Sequence, residues 1–206
     1  MKRVVIAIIL LFVISCVAYA DDFTDVPEDH WAYLNIYALS DSGVINGYPD
    51  GTFKPSGPTT RAEFFKLISI VEADNMAVED YKKGVVNWYD PYVEFIFENE
   101  MNMENTDRNN VDVPITRKEA TMVLANFAKF NEFLKDYDND DSRYENSFTD
   151  VENFSEQDKY LLNYVVKSGL ITGYEDGSFQ PEKTITRAEV ATILCRFCNK
   201  WVEVSE

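Results

Sequence analysis

Histidine, cysteine and positive charge are all scarce in this chain. Its 206 residues hold one His, three Cys and 19 Lys plus Arg against 36 Asp plus Glu, a formal net charge of −17. The single histidine, His30, has no evident Ser or Cys partner for nucleophilic catalysis and reads as a loop or helix-start packing residue. One Cys-x-x-Cys pair, Cys195 and Cys198, cannot supply four zinc ligands even with that His. The pair also falls about two turns inside a predicted helix, whereas a redox dithiol is expected at a helix N-terminus. Both thiols therefore read as small core-side residues, with a disulfide as the second option. The shortage of Lys and Arg excludes the basic footprint that nucleic acid or an anionic membrane would need. No metal site and no cofactor is expected. In so acidic a chain, counting cannot dismiss a glycosidase-type carboxylate pair. No segment is left over for a catalytic domain, however, so no enzyme is expected.

A long apolar run occurs once. Lys2 and Arg3 head a nearly wholly apolar stretch from Val4 to Val17, followed by Ala18-Tyr19-Ala20. A basic head, an apolar centre and a small-residue site make a secretory signal, too short and wrongly flanked for a membrane span. Residues 1–20 are read as that signal, with Asp21 first after cleavage. A second reading takes Val13-Ile14-Ser15-Cys16 as a bacterial lipobox, leaving a lipidated Cys16. Both export the chain. Losing Lys2 and Arg3 with the signal takes the charge from −17 to −19. What remains is rich enough in apolar residues, 46% of the whole chain with 14% aromatic, to pack a core.

Repetition is what the sequence has in abundance. Phe23-Thr24-Asp25-Val26 recurs as Phe148-Thr149-Asp150-Val151, and the segments from Gly43 to Glu63 and Gly169 to Glu189 align without a gap. A third signal, Thr-Arg-x-Glu, occurs at Thr60–Glu63, Thr116–Glu119 and Thr186–Glu189. Thr followed three residues later by Glu is the capping-box pattern of a helix start. From each Arg, positions 3, 6, 7 and 10 residues on are apolar: Phe64, Leu67, Ile68 and Val71; Ala120, Val123, Leu124 and Phe127; Val190, Ile193, Leu194 and Phe197. That spacing is one helix face. The first helix of each full repeat ends at a Gly suited to a left-handed C-cap, Gly43 in the first copy, with Trp31, Leu34, Ile36 and Leu39 as its apolar positions. An Asp-Gly turn (Asp50-Gly51, Asp176-Gly177) follows, flanked by Tyr48 and Phe53 or Tyr174 and Phe179. The middle copy keeps a helix after Asn87-Trp88-Tyr89 but has a glycine-free polar run, Asn102 to Val113, where the turn should be.

The expected architecture is mainly α, a pseudo-threefold trimer of helix-loop-helix repeats around a central three-helix bundle. Its units are repeat 1 at 21–74, a linker at 75–86, a degenerate repeat 2 at 87–134, an acidic linker at 135–147 and repeat 3 at 148–206. The densest acidic stretch, Asp136 to Asp141, departs from a calcium loop at position six (Asp141, not Gly) and position twelve (Ser147, not Glu). It reads as solvated linker.

An Arg at the first residue of all three helices gains nothing from the helix dipole, whose positive end lies there. An anion held by both the guanidinium and the unpaired helix N–H groups would account for it. Trp31 and Trp88 read equally as core or as ligand platforms.

These motifs resemble the S-layer homology (SLH) domain: Phe-Thr-Asp-Val-Pro, His30-Trp31-Ala32, the Gly43 to Phe53 turn and Thr-Arg-Ala-Glu, strongly over 23–71 and 148–201 and weakly over 87–130. The resemblance implies a pseudo-trimeric prism, monomeric as a chain, whose inter-repeat grooves hold secondary cell-wall polysaccharide, often bearing pyruvate ketals. It implies polymer contact by Arg61, Arg117 and Arg187, with Asp25, Asp150, Trp31, Trp88, Gly47 and Gly173 shaping the grooves. In the third repeat Gln157 stands where Trp would be, with Phe154 or Tyr160 offered in its place. The groove of Arg61 is expected to be the most family-like, since repeat 1 has the full set. The implied setting is the cell surface, with peptidoglycan as an alternative ligand. The competing reading is an exported structural or adaptor protein that docks another surface protein. Strong net acidity predicts that binding to an anionic polymer tightens, or quickens, as salt screens repulsion.

Overall fold

The computed structural model describes residues 23–71, 78, 81, 85–103, 106–130 and 148–205, with side chains as far as 199. The leader, Cys16 and the acidic stretch from Asp136 to Asp141 lie outside the described residues. Each Thr-Arg-x-Glu phrase begins a helix: α2 (Arg61–Val71), α4 (Arg117–Phe130) and α6 (Arg187–Ser205). Ahead of them come α1 (Tyr33–Asp41), α3 (Asp90–Glu98) and α5 (Glu156–Lys167). Among the described residues there are six helices and no strand, the mainly α class the repeats predict.

Two capping boxes close as expected. Thr60 Oγ1 accepts the Glu63 N–H at 3.2 Å while Glu63 Oε2 accepts the Thr60 N–H at 2.8 Å, and Thr186 and Glu189 reproduce both distances. The middle box is half open. Thr116 Oγ1 accepts the Glu119 N–H at 3.2 Å, but the Glu119 carboxylate turns to Arg61, 2.7 Å away.

The turns are tight hairpins of three loop residues. Tyr48 N–H donates to Thr52 O at 2.7 Å and Gly51 N–H to Tyr48 O at 3.0 Å, with Gly51 at φ 80°. The third unit repeats this at Tyr174, Ser178 and Gly177. Asp25 locks the hairpin from outside, accepting the N–H groups of Phe53 at 2.7 Å and Lys54 at 2.8 Å. Asp150 does the same for Phe179 and Gln180. Lys54 and Gln180 are held at φ 58° and 56°. A left-handed non-Gly residue costs on the order of 1 kcal/mol, and two charge-assisted bonds per carboxylate offset it. Gly47 and Gly173 are required for packing: a Cβ there would lie 2.2 Å from Phe23 Cε1 and 2.1 Å from Phe148 Cε1.

Just ahead of α2, α4 and α6 the three units join in a cycle. Thr59 N–H donates to Ile185 O at 3.1 Å, Ile185 N–H to Ile115 O at 3.1 Å, and Ile115 N–H to Thr59 O at 2.9 Å. Below this ring the predicted stripes are buried except for half-buried Val71, with Phe64, Ile68, Val123, Leu124, Phe127, Val190, Leu194 and Phe197 completely so. Such side chains contribute about 1.5–3 kcal/mol each, which no unit this small could gather alone. The first helices then cross over: α1 packs on α6, α3 on α2 and α5 on α4. Each rests on the second helix of the preceding unit in the cycle. Leu34, read as core from its sequence position, points outward and is 79% exposed, whereas Ile36 and Leu39 are buried.

Thr59 is a flaw in the ring. It is buried, its Oγ1 has no partner among the described residues, and its counterparts in the cycle are Ile115 and Ile185. Thr59→Val is expected to raise stability by about 1 kcal/mol, because it removes an unpaired buried hydroxyl while keeping the shape. Urea unfolding of both proteins checks this through the midpoint at unchanged slope.

Candidate functional site

The crossover decides which residues meet. Each helix-start Arg reaches into the following unit, and two of the three grip its hairpin. Arg187 donates from Nε to Phe53 O at 2.8 Å and from Nη2 to Asn46 O at 2.7 Å, with its guanidinium carbon 4.5 Å from the centre of the Phe53 ring. Arg117 repeats this on Phe179 O and Thr172 O, stacked over Phe179 and Tyr174. Both arginines are buried. Burial holds Arg117 below its ordinary pKa, opposed by Tyr174 and Glu189 and assisted by Arg196. Arg61 finds no hairpin in the middle unit. It bonds Asn110 O at 2.9 Å and pairs with Glu119, whose side chain is only 4% exposed and which also accepts from Thr106.

The helix-start N–H groups are not open to an anion, which corrects the expectation drawn from the capping pattern. Arg61 and Ala62 donate to Val113 O and Val111 O, Arg117 and Lys118 to Lys183 O and Pro181 O, and Arg187 and Ala188 to Gly57 O and Pro55 O. The third N–H of each helix is taken by its capping Thr. The loop of one neighbouring unit thus completes each helix end, and any ligand must use side chains.

Two clefts lie between units, each with a cavity of about 230 Å³. One brings together Trp31, Arg117, Gly173, Tyr174, Glu189, Thr192 and Arg196. The other joins Trp88 and Arg187 with Asn46, Glu63, Lys66 and Leu67. Every cleft draws on three units: a Trp from one, an Arg from the next and a hairpin with its capping Glu from the third. Trp31 and Trp88 are 63% and 54% exposed, so they lie at the surface and not in the core. His30 stacks on Trp31 and accepts the Ala32 N–H at Nδ1, the packing role read from its position.

Repeat 1's own set therefore does not converge. Trp31 faces Arg117 and Gly173, while Gly47 and Arg61 line neither cleft. The interface of Arg61, expected to be the most family-like, has neither hairpin nor tryptophan among the described residues. Phe154 cannot stand in there, being buried against Phe179 with Lys118 over its ring. Asp25 and Asp150 also line neither cleft; their carboxylates are committed to the hairpins.

Electrostatically each cleft holds one acid and two cations. Burial pushes Glu189 up, yet hydrogen bonds from Thr186 and Tyr174, with Lys183 nearby, hold it below its ordinary value. It is an ionised structural acceptor rather than an acid catalyst. Lys66 and Arg196, the second cations, were missed from sequence because they sit at non-equivalent positions. They lie five and nine residues beyond Arg61 and Arg187. Cys195 and Cys198 are free thiols; burial, then Cys195, pushes Cys198 up to about 11, which removes it from thiolate chemistry near neutrality.

The repeats are similar to those of known proteins. The family model for the S-layer homology domain matches residues 22–65 and 147–191. The chain is 30% identical over 184 residues, 86% of its length, to "Exoglucanase XynX" of Acetivibrio thermocellus, covering 16% of that protein. It is 28% identical over 194 residues, 92% of its length, to "S-layer protein EA1" of Bacillus anthracis, covering 22%. Over 95 residues, 45% of its length, it is 34% identical to the "Cellulosome-anchoring protein" of A. thermocellus, covering 19%. It thus spans between 16% and 22% of these relatives. With its motifs, capping boxes and hairpins in place, the chain belongs to the S-layer homology domain family.

Proposed function

We propose that this protein is a non-covalent cell-wall anchoring module, exported to the cell surface, that holds secondary cell-wall polysaccharide in its two open clefts. The observation that carries the reading is an exposed Trp set opposite a buried Arg from another unit, twice over. An indole face suits the apolar side of a sugar ring, and an Arg fixed by two carbonyls keeps further donors for ring substituents or a carboxylate. A pyruvate ketal supplies such a carboxylate. The third interface, closed by Arg61 and Glu119, acts as a lock between units. Binding, not catalysis, is the activity: the acid in each cleft is spoken for by its helix start.

Purified wall polysaccharide is expected to change the tryptophan fluorescence of the protein, with the change reduced by either Trp31→Phe or Trp88→Phe. No change at any polymer concentration would count against the clefts. With net charge −17, apparent affinity is expected to rise with moderate salt. The name of the cellulosome-anchoring relative favours a second reading, docking of another exported protein. Retention on walls stripped of polysaccharide but carrying protein would support it.

A further inference from the structure

Three times the chain sets a side-chain carbonyl directly before a glycine: Asn46-Gly47, Asp50-Gly51 and Asp176-Gly177. In each, the glycine nitrogen can close a five-membered imide on the preceding side chain, and glycine leaves that nitrogen unshielded. The structure separates the three. The N–H groups of Gly51 and Gly177 are spent on Tyr48 O and Tyr174 O, both at 3.0 Å. Asp50 Oδ1 accepts from the Thr52 hydroxyl and N–H, and Asp176 Oδ1 from those of Ser178. These bonds hold both carboxyls below the ordinary range, as carboxylates without a leaving group. At Asn46 neither partner is engaged. Its side-chain amide is exposed and, like the Gly47 N–H, has no hydrogen-bond partner among the described residues.

One bond does reach this peptide group. Arg187 donates from Nη2 to Asn46 O at 2.7 Å, and is itself fixed by Phe53 O at 2.8 Å and the Phe53 ring. The Asn46 oxygen shares its peptide group with the Gly47 nitrogen and takes up the negative charge when that nitrogen loses its proton. A fixed cation there stabilises the deprotonated, nucleophilic form. We infer that Asn46 is a self-modifying site, at which the Gly47 nitrogen, activated by Arg187, closes on Asn46 Cγ. Gly47 gives its proton to solvent base, the N–Cγ bond forms, and the side-chain nitrogen of Asn46 leaves as ammonia. Water then adds to the carbonyl that Arg187 polarises and breaks its bond to the Gly47 nitrogen. The backbone now runs through Cγ as an isoaspartyl linkage, and the former Asn46 carbonyl is a free carboxylate against Arg187. One water is consumed and one ammonia released. The clamp on the hairpin becomes an ion pair, and the cleft that Asn46 lines gains one negative charge. The third unit is an internal control: Arg117 grips Thr172 O in the same way, but a threonine side chain offers no carbonyl to attack.

The test is incubation of the purified protein at mildly alkaline pH, read by mass-spectrometric peptide mapping and by enzymatic methylation of isoaspartyl carboxylates. Conversion is expected at Asn46, with isoaspartate as the main product, and at neither Asp50 nor Asp176. The native protein should convert about tenfold or more faster than the same protein in guanidinium chloride, where Arg187 is detached, the least that one fixed donor to a developing oxyanion supplies. Arg187→Lys, shown to be folded by circular dichroism, should lose most of that advantage, because a point charge cannot hold Phe53 O and Asn46 O together. Asn46→Thr, which copies the third unit, should show no conversion at an unchanged melting temperature. An Asn46 amide that persists in the native protein while the unfolded chain converts would overturn the inference. Equal rates in native and unfolded protein would overturn activation by Arg187.

Discussion

Arg187→Ala is expected to cost about 3 kcal/mol of folding stability. The guanidinium bridges two carbonyls of the first hairpin from the far end of the chain, and both would be left without their charged donor. Its stacking on Phe53 and Tyr48 would be lost as well. For a protein of this size that corresponds to a fall in melting temperature of roughly 6–12 °C, measurable by circular dichroism. Arg117→Ala should behave alike, since it holds Phe179 O and Thr172 O in the same way. Lysine should rescue either only in part, because a point charge cannot span two carbonyls in one plane. Arg61→Ala should destabilise for another reason: it strands the buried Glu119 carboxylate. Glu119→Gln in that background should recover part of the loss, a coupling absent when Glu119→Gln is combined with Arg187→Ala. A fall of under 1 kcal/mol for Arg187→Ala would refute the clamp.

The second large effect separates binding from folding. Trp31→Ala and Trp88→Ala should each weaken wall-polymer binding by at least about tenfold, as loss of a central aromatic anchor does. A polymer engaging both clefts gains from effective concentration, so the double variant should lose far more than either single one. Because both rings are mostly exposed, the melting temperature should move by no more than about 2 °C. Unchanged polymer binding in the double variant would remove the clefts from the mechanism.

These two predictions exchange the roles that sequence alone suggested. Helix starts, apolar stripes and the Asp-Gly turns were legible because each is a local pattern with a local cause. The Thr-x-x-Glu spacing led to two closed capping boxes, and the stripe beyond each Arg led to buried Phe64, Val123 and Leu194. What could not be read was which unit each side chain would meet. Offsets within a repeat place Trp31 near Arg61, but α1 crosses onto α6, and Trp31 faces Arg117 instead. The helix-start N–H groups looked available since nothing local fills them; a neighbour's loop does. The degenerate middle turn looked like a local loss, yet it redirects Arg61 onto Glu119 and opens one capping box. An Arg→Ala change that abolishes wall binding would therefore report the fold as much as the ligand, and the tryptophans are the cleaner probes.

Anchoring is tested most directly by co-sedimentation of the protein with purified wall sacculi, before and after chemical removal of their secondary polysaccharide. Pelleting that disappears with the polysaccharide, and is also lost in the Trp31→Ala, Trp88→Ala double variant, is the predicted result. Pelleting with stripped sacculi, or none with either preparation, would contradict it.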